Sequence, residues 1–472
     1  MTAAPAELDA TLTLAPEEFR RLGHRAVDAI AERLAGLADA PVGRPETLAE
    51  LEARLREPLP EHGSDPERVL EAALGDVLAP GLRIDHPRFF GFVPGPGNAV
   101  GTVADALATG FSVFAGTWLA APGATMVELV VLDWLRDLCG MPERTEGLFV
   151  SGGSAANLTA LAVALDERAG TERARAMVYL SEETHSSVER ALRVTGVPPH
   201  NVRVLAADAR QRMAPSALRA AIAADRAAGR LPACVVATAG TTGTGAVDPL
   251  HALRRVCDEQ GLWLHVDGAY GAAAMLSARG RAQLRGIGLA DSLTLDPHKW
   301  LFQPLDAGCL LVRDGLALRR TFSVEPAYLR AAAAADGQVN FADRGVELTR
   351  SFRALKLWMS LKTFGAEAFR RAVDHGLDLA EHAEALIAGH PAWEVVTPAR
   401  LGIVTFRPAG DDETLTAALP GAALADGLAF VSTHRVGGRT VLRLCTVNPR
   451  TTRADVGRTL DRLTELAQGA LR

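Results

Sequence analysis

The chain has 472 residues, 22% of them charged, and a formal net charge of −6. That length calls for more than one compact core, and the lack of any basic block argues against nucleic acid or an anionic membrane surface as a partner. Five scattered cysteines (Cys139, Cys234, Cys257, Cys309 and Cys445) without CxxC spacing point to a reducing compartment and against disulfides or a metal site.

Residues 1–14 lack the basic-then-apolar order of a secretory signal, and the longest apolar runs, such as 269–276, are far too short to span a membrane. A cytoplasmic location is therefore expected. Residues 16–38 place apolar groups at helical spacing behind Pro16, Glu17 and Glu18, which predicts an amphipathic helix. Further helices are predicted over 46–56 and 66–78. Three helices with wide apolar faces and no following sheet cannot bury those faces by themselves, so they are expected to pack on the rest of the protein or on a second copy of it.

From residue 99 to 362 the pattern becomes short apolar strands alternating with helices. Strands are predicted at 177–180, 202–205, 234–238, 263–266, 292–295 and 309–312, with helices such as 154–168 and 215–228 between them. This alternation implies an α/β fold with a mostly parallel, doubly wound sheet whose functional groups lie at strand C-terminal ends. Beyond Lys362 a long helix (366–388) and strands at 393–396, 403–406 and 441–445 suggest a small α+β domain. The expected division is 1–98, 99–362 and 363–472.

Lysine is nearly absent. Of 50 basic residues 47 are Arg, leaving only Lys299, Lys356 and Lys362. A guanidinium stays protonated and forms no imine, so a position that keeps Lys in this background is a candidate for covalent chemistry. Lys299 stands in Asp296-Pro297-His298-Lys299-Trp300, just after a predicted strand. Upstream, Ser151-Gly152-Gly153-Ser154-Ala155-Ala156-Asn157 opens a helix with residues small enough to let backbone N–H groups approach an anion. Thr184-His185-Ser186-Ser187 places a flat ring near the end of a strand, and Thr238-Ala239-Gly240-Thr241-Thr242-Gly243 offers hydroxyls after another. Each of these alone also fits an ordinary helix entry, cap or turn. Asp267, in His265-Val266-Asp267-Gly268-Ala269, is more telling, because a carboxylate closing an apolar strand needs a cation or donor to meet it. An acid for a pyridinium, an amine for an aldehyde and a phosphate cradle are the parts that pyridoxal phosphate (PLP) requires.

In their order, His86-Pro87-Arg88-Phe89-Phe90, Thr184-His185-Ser186-Ser187-Val188-Glu189-Arg190, His265-Val266-Asp267, Pro297-His298-Lys299-Trp300 and Ser351-Phe352-Arg353-Ala354-Leu355-Lys356-Leu357-Trp358 resemble the group II PLP-dependent amino acid decarboxylases. That family includes the aromatic-L-amino-acid and glutamate decarboxylases, and the similarity runs from Phe19 to about Leu361, more loosely beyond. The resemblance implies the PLP-dependent transferase fold of aspartate aminotransferase type I, with a seven-stranded sheet and helices on both faces. It also implies a homodimer with interlocking N-terminal helices and shared active sites. By the same resemblance Lys299 binds the cofactor aldehyde, and Asp267 pairs with the pyridine nitrogen. His185 stacks on one ring face with Ala269 against the other, while Gly153, Ser154, Thr242 and His298 lie near the phosphate or ring substituents. Tyr328 is the expected proton donor, on a loop reaching through the Ala331–Ala335 run; in the family a Tyr there accompanies decarboxylation and a Phe accompanies aldehyde synthesis.

For the substrate, Phe92 and Pro94 match the family's pocket wall, and Phe114 lies on the segment that crosses the dimer. Ile84, Gly95 and Gly116 replace the Trp, Thr and Phe of the animal aromatic-amino-acid enzymes, which either opens the pocket for an indole or shifts it towards an aliphatic side chain. No Arg–Lys pair for a second carboxylate stands out, which disfavours glutamate. Asp296 stands where the family often has Asn. The expected activity is decarboxylation of an L-amino acid, aromatic before aliphatic, with aldehyde synthesis or aminotransfer as alternatives on the same fold.

Overall fold

The computed structural model describes residues 12–324, 337–410 and 412–470. Contacts divide the chain into two compact units, one ending at His86 and the other beginning at Pro87.

In the first unit, helix Pro16–Ala35 starts on proline with Glu17 and Glu18 in its first turn, where the helix dipole favours acids. Helix Leu48–Leu55 opens with a capping box between Thr47 and Glu50. Asp65 caps helix Pro66–Ala72, which runs on into a π turn at Ala73–Val77. A two-residue antiparallel pairing of Gly43–Arg44 with Gly81–Leu82, absent from the apolar pattern, closes the unit. Arg25 bonds Glu71 at 2.8 Å, and Arg33 grips Asp85 through two bonds of 2.7 Å. No residue of the three α-helices is buried, and Phe19, Val27 and Ile30 are exposed.

The second unit is built on a seven-stranded sheet. Its strands are β1 (Glu146–Val150), β2 (Ala176–Ser181), β3 (Val202–Leu205), β4 (Leu231–Thr238), β5 (Trp263–Asp267), β6 (Ser292–Leu295) and β7 (Gly308–Val312). They lie in the order β1-β7-β6-β5-β4-β2-β3, with only β7 antiparallel to its neighbours. Every residue of β2, β5, β6 and β7 is buried, as expected for strands covered on both faces; their few polar members, among them His265, Asp267, Ser292 and Thr294, are buried too. Helix Gly153–Ala169 packs across the middle of the sheet from the end of β1, and helices Pro215–Ala227 and Leu250–Gln260 pack on β4. Register sets Thr238, Asp267 and Thr294 side by side at the C-terminal edge of β4, β5 and β6.

A helical stretch in two segments follows the sheet. It runs from Ala354 to Ala388 and passes through Gly365, whose φ of 74° and ψ of 154° break the helical geometry. Helical geometry stops at Gly365 and resumes beyond it, so the helix expected over 366–388 stands as a segment of its own. Strands β8 (Trp393–Arg400), β9 (Ile403–Pro408), β10 (Ser432–Val436) and β11 (Arg439–Cys445) then form an antiparallel sheet in the order β8-β9-β11-β10. Phe406, Leu442, Leu444, Leu419 and Val456 build a separate core around it. Half-exposed β10 lacks a clear apolar signal, and it and β1 are the strands of the two sheets that the sequence reading leaves unassigned.

Candidate active site

At the C-terminal edge of the sheet, Asp267 is 5% exposed. Its Oδ1 accepts from the Ala269 N–H at 3.0 Å, and its Oδ2 accepts from Asn157 Nδ2 at 2.9 Å. Asn157 is set by its neighbours. Its other amide hydrogen reaches Ser187 Oγ at 3.0 Å, and its Oδ1 accepts from Thr294 Oγ1 at 2.7 Å and faces His265 Nε2 at 3.0 Å. The His265 Nδ1 lies 2.8 Å from Ser292 Oγ, which also accepts from Trp263 Nε1 at 2.8 Å. His265 therefore carries its proton on Nε2 and accepts from Ser292 on Nδ1. Burial pushes its imidazole down to about 4 against the pull of Asp267, so the ring is neutral near neutral pH.

His185 caps helix Ser186–Val194, its Nδ1 accepting from the Ser187 N–H at 3.2 Å. Burial also lowers its pKa, leaving an uncharged ring over the cavity.

Lys299 follows β6 in a turn held by its own N–H, which donates to the Asp296 carbonyl at 3.0 Å. Its Nζ lies 3.0 Å from Asp296 Oδ2. Burial disfavours the ammonium, but the charges of Asp296 and Asp267 and the bond to Asp296 outweigh it, and Lys299 is held above the ordinary lysine value. His298 accepts from the Ala307 N–H at 3.1 Å, and burial lowers its pKa.

A cavity of about 430 Å³ joins these groups. Eight expected residues line it: Gly153, Ser154, His185, Thr242, Asp267, Ala269, His298 and Lys299. The glycines are there for room. A Cβ on Gly153 would meet Asp296 Oδ2 at 2.8 Å, and one on Gly152 would meet the His298 ring at 3.0 Å.

Phe92, Pro94 and Phe114 do not line this cavity. Phe92 is exposed, with a left-handed φ of 48°, its ring tilted against Phe89 and Phe430. Pro94 is buried and Phe114 half-buried, its ring against Gly116. Gly95 abuts the lysine loop so closely that a Cβ would sit 1.7 Å from the His298 carbonyl oxygen, so no side chain fits there in this backbone. Tyr328 lies outside the described residues.

Three contributions escaped the sequence reading. Asn157 was visible in its motif but had no assigned partner. Arg443, on β11, donates to the Thr242 carbonyl at 2.6 Å and the Phe92 carbonyl at 2.5 Å, tying the hydroxyl-bearing loop to the 89–97 segment. His434, on β10, meets Glu183 at the cavity rim at 3.2 Å, and Gly243 leaves space for its ring. Pairs this distant along the chain leave no local pattern to read.

An acid and a lysine at adjacent strand ends beneath a glycine-opened helix define an enzyme site for a phosphorylated aldehyde cofactor. Residues 48–409 match the model of the pyridoxal-dependent decarboxylase conserved domain, and the chain belongs to that family. It is a PLP-dependent amino acid carboxy-lyase. Along 465 residues it is 45% identical to an aromatic-L-amino-acid decarboxylase of Bacillus atrophaeus, covering 97% of each chain. It is 38% identical to a tyrosine decarboxylase of Oryza sativa subsp. japonica over 88% of this chain and 81% of that one. The structure superimposes with a TM-score of 0.93 on the Oryza sativa TDC solved with PLP and tryptamine, at 28% identity over 98% of this chain and 100% of that one. The expected transferase fold is the one observed.

The residues present fit PLP. Among the described residues, Thr238 Oγ1, Tyr270 Oη and Asp296 Oδ1 are buried polar atoms without a partner, and all three residues line the cavity. Among the described residues no side chain caps helix Gly153–Ala169, so its first N–H groups open towards an anion.

Proposed function

We propose that this enzyme removes CO2 from an aromatic L-amino acid to give the corresponding amine. The reading is carried by likeness along nearly the whole chain to the Bacillus atrophaeus enzyme. When bound, PLP supplies the electron sink that accepts the pair left by departing CO2.

The chain's own residues do the rest. Lys299 would hold the cofactor aldehyde through its amine. Asp267, oriented by Asn157 and the Ala269 N–H, presents an anion to the pyridine nitrogen and keeps a proton on it. His185 and Ala269, which line the same cavity, would hold the cofactor ring between them. The uncapped helix start at Gly153 and Ser154, with Thr242 and His298, holds the phosphate and ring substituents. Phe92, Pro94 and Phe114 form the apolar wall for the substrate ring. Tyr328 delivers a proton to the substrate Cα.

The working unit is a homodimer in the cytoplasm, built from an N-terminal helical segment (1–98), a large cofactor domain (99–362) and a small C-terminal domain (363–472). Support for the dimer comes from the uncovered apolar residues of the first unit, Phe19, Val27 and Ile30.

The test is a screen of the twenty standard amino acids with DOPA and 5-hydroxytryptophan, reading CO2 and amine mass with and without O2. Amine from an aromatic substrate is expected. Turnover confined to aliphatic substrates, or aldehyde as the main product, would overturn the reading.

A further inference from the structure

Asp296 is 1% exposed, and its two carboxylate oxygens have unequal surroundings. Oδ2 lies 3.0 Å from Lys299 Nζ, with His298 Nε2 beyond hydrogen-bond reach at 3.7 Å. Oδ1 has no partner among the described residues. The backbone fixes the pair: the Asp296 N–H donates to the Ala269 carbonyl at 2.7 Å, and the Lys299 N–H to the Asp296 carbonyl at 3.0 Å. A buried carboxylate whose one cationic donor is a lysine three residues on resists that lysine's deprotonation, because the neutral amine would strand the anion.

The other titratable groups facing Lys299 do not substitute for it. Asp267, at the end of β5, also favours the ammonium through its charge, but its oxygens are bonded by Asn157 and Ala269. Among the described residues only Asp296 bonds Lys299 directly. His185, across the cavity, and His298, on the lysine loop, are both depressed by burial and carry no charge near neutral pH. Gly95, packed against the lysine loop, brings none.

Resting on Lys299 as the cofactor-bearing residue, we infer that Asp296 is a positioning residue that holds the free Lys299 amine as an ammonium and thereby sets the pH at which the enzyme captures PLP covalently. Capture of an aldehyde by an amine uses the neutral form, whose nitrogen attacks the carbonyl carbon with loss of water. Asp296 keeps that form scarce until the pH rises. Opposite charges this close raise an ammonium's pKa by about 1–3 units, so removing the carboxylate moves the capture midpoint down by a similar interval.

The experiment uses full-length apoenzyme, wild type and the near-isosteric Asp296→Asn, with Asp296→Ala as a second variant. Capture rate is followed from acid to alkaline pH by borohydride trapping, and the adduct is located by peptide mapping. Deoxypyridoxine phosphate, which lacks the aldehyde, reports non-covalent affinity over the same range. A capture midpoint displaced to lower pH in both variants, with the deoxy compound's pH profile keeping its wild-type shape, is the expected result. Coincident midpoints, or an equal displacement with the deoxy compound, overturn the role of Asp296 and leave the functional reading intact. An adduct on another residue overturns both.

Discussion

Asn157 and Asp267, 110 residues apart in sequence, meet through one hydrogen bond of 2.9 Å from the amide Nδ2 to the carboxylate Oδ2. The direction of that bond is decided at a distance. Asn157 Oδ1 is occupied by donors from Thr294 and His265, so the amide can turn only its hydrogens towards Asp267 and Ser187. The acid that faces the cofactor is thus aimed by an uncharged relay that begins at Trp263.

Asn157→Ala is expected to weaken PLP binding while leaving the fold intact. A hydrogen bond to a charged group contributes about 1.5–3 kcal/mol, which corresponds to a rise in Kd of roughly 10-fold to 150-fold. Fluorescence titration of the apoenzyme with PLP measures it. An unchanged Kd would show that Asp267 needs no aiming.

The buried His265 makes a prediction about pH. Its folded value of about 4 lies below the ordinary 6.5, so the unfolded chain binds more protons between the two. Its contribution to stability is fully present above the ordinary value and is lost as pH falls towards about 4. Asp248, raised by burial to about 6, works in the opposite sense, losing its contribution as pH rises through that value. Comparison with His265→Gln isolates the histidine: the wild-type apoenzyme should show a steeper fall in Tm on acidification than the variant. Parallel Tm curves would count against it.

The parts of the site legible in the sequence are those written locally. Lys299 stood out against an arginine-rich background, Asp267 against an apolar strand, and Gly153 in a run of small residues. Most strands showed because burial on both faces leaves them rich in apolar residues, while half-exposed β10 did not, and β1 read only as the lead-in to the glycine motif. The partners of Asn157, Arg443 and His434 were not legible, since the contacts with Asp267, Thr242 and Glu183 each span more than 100 residues. The rooms made by Gly95 and Gly243 depend on what lies across them, and a glycine in sequence does not reveal what approaches it.

Tyr328→Phe tests the fate of the proton. The substitution keeps the ring and removes the only proton that side chain can give. Amine formation should fall by about 100-fold or more, the contribution typical of a positioned acid, while aldehyde or cofactor lost to transamination should rise. Product analysis by mass, with the absorbance of bound cofactor followed over successive turnovers, measures both. Amine formation at the wild-type rate would remove Tyr328 from the mechanism.

The pair Arg350–Glu128 predicts how the scaffold responds to losing one charge. Arg350 Nη2 lies 2.6 Å from Glu128 Oε1, with side chains 1% and 0% exposed. The guanidinium also donates to the Ala115 carbonyl at 2.8 Å and the Phe149 carbonyl at 2.7 Å, while Glu128 accepts from the Phe149 N–H at 2.8 Å. Helix Pro122–Leu138 is thereby fastened to β1, the strand that leads into Gly152 and Gly153. Removing either partner leaves the other charge buried and unpaired, so Arg350→Met and Glu128→Leu should each cost about 3–5 kcal/mol. The double variant removes both charges together and should be more stable than either single one, since an apolar pair of similar volume replaces an ion pair with little net loss. Denaturant unfolding of the three apoenzymes decides it, with coupling read from the double-mutant cycle. Additive losses would mean that the two charges are solvated separately and that the clasp on β1 comes from the backbone bonds alone.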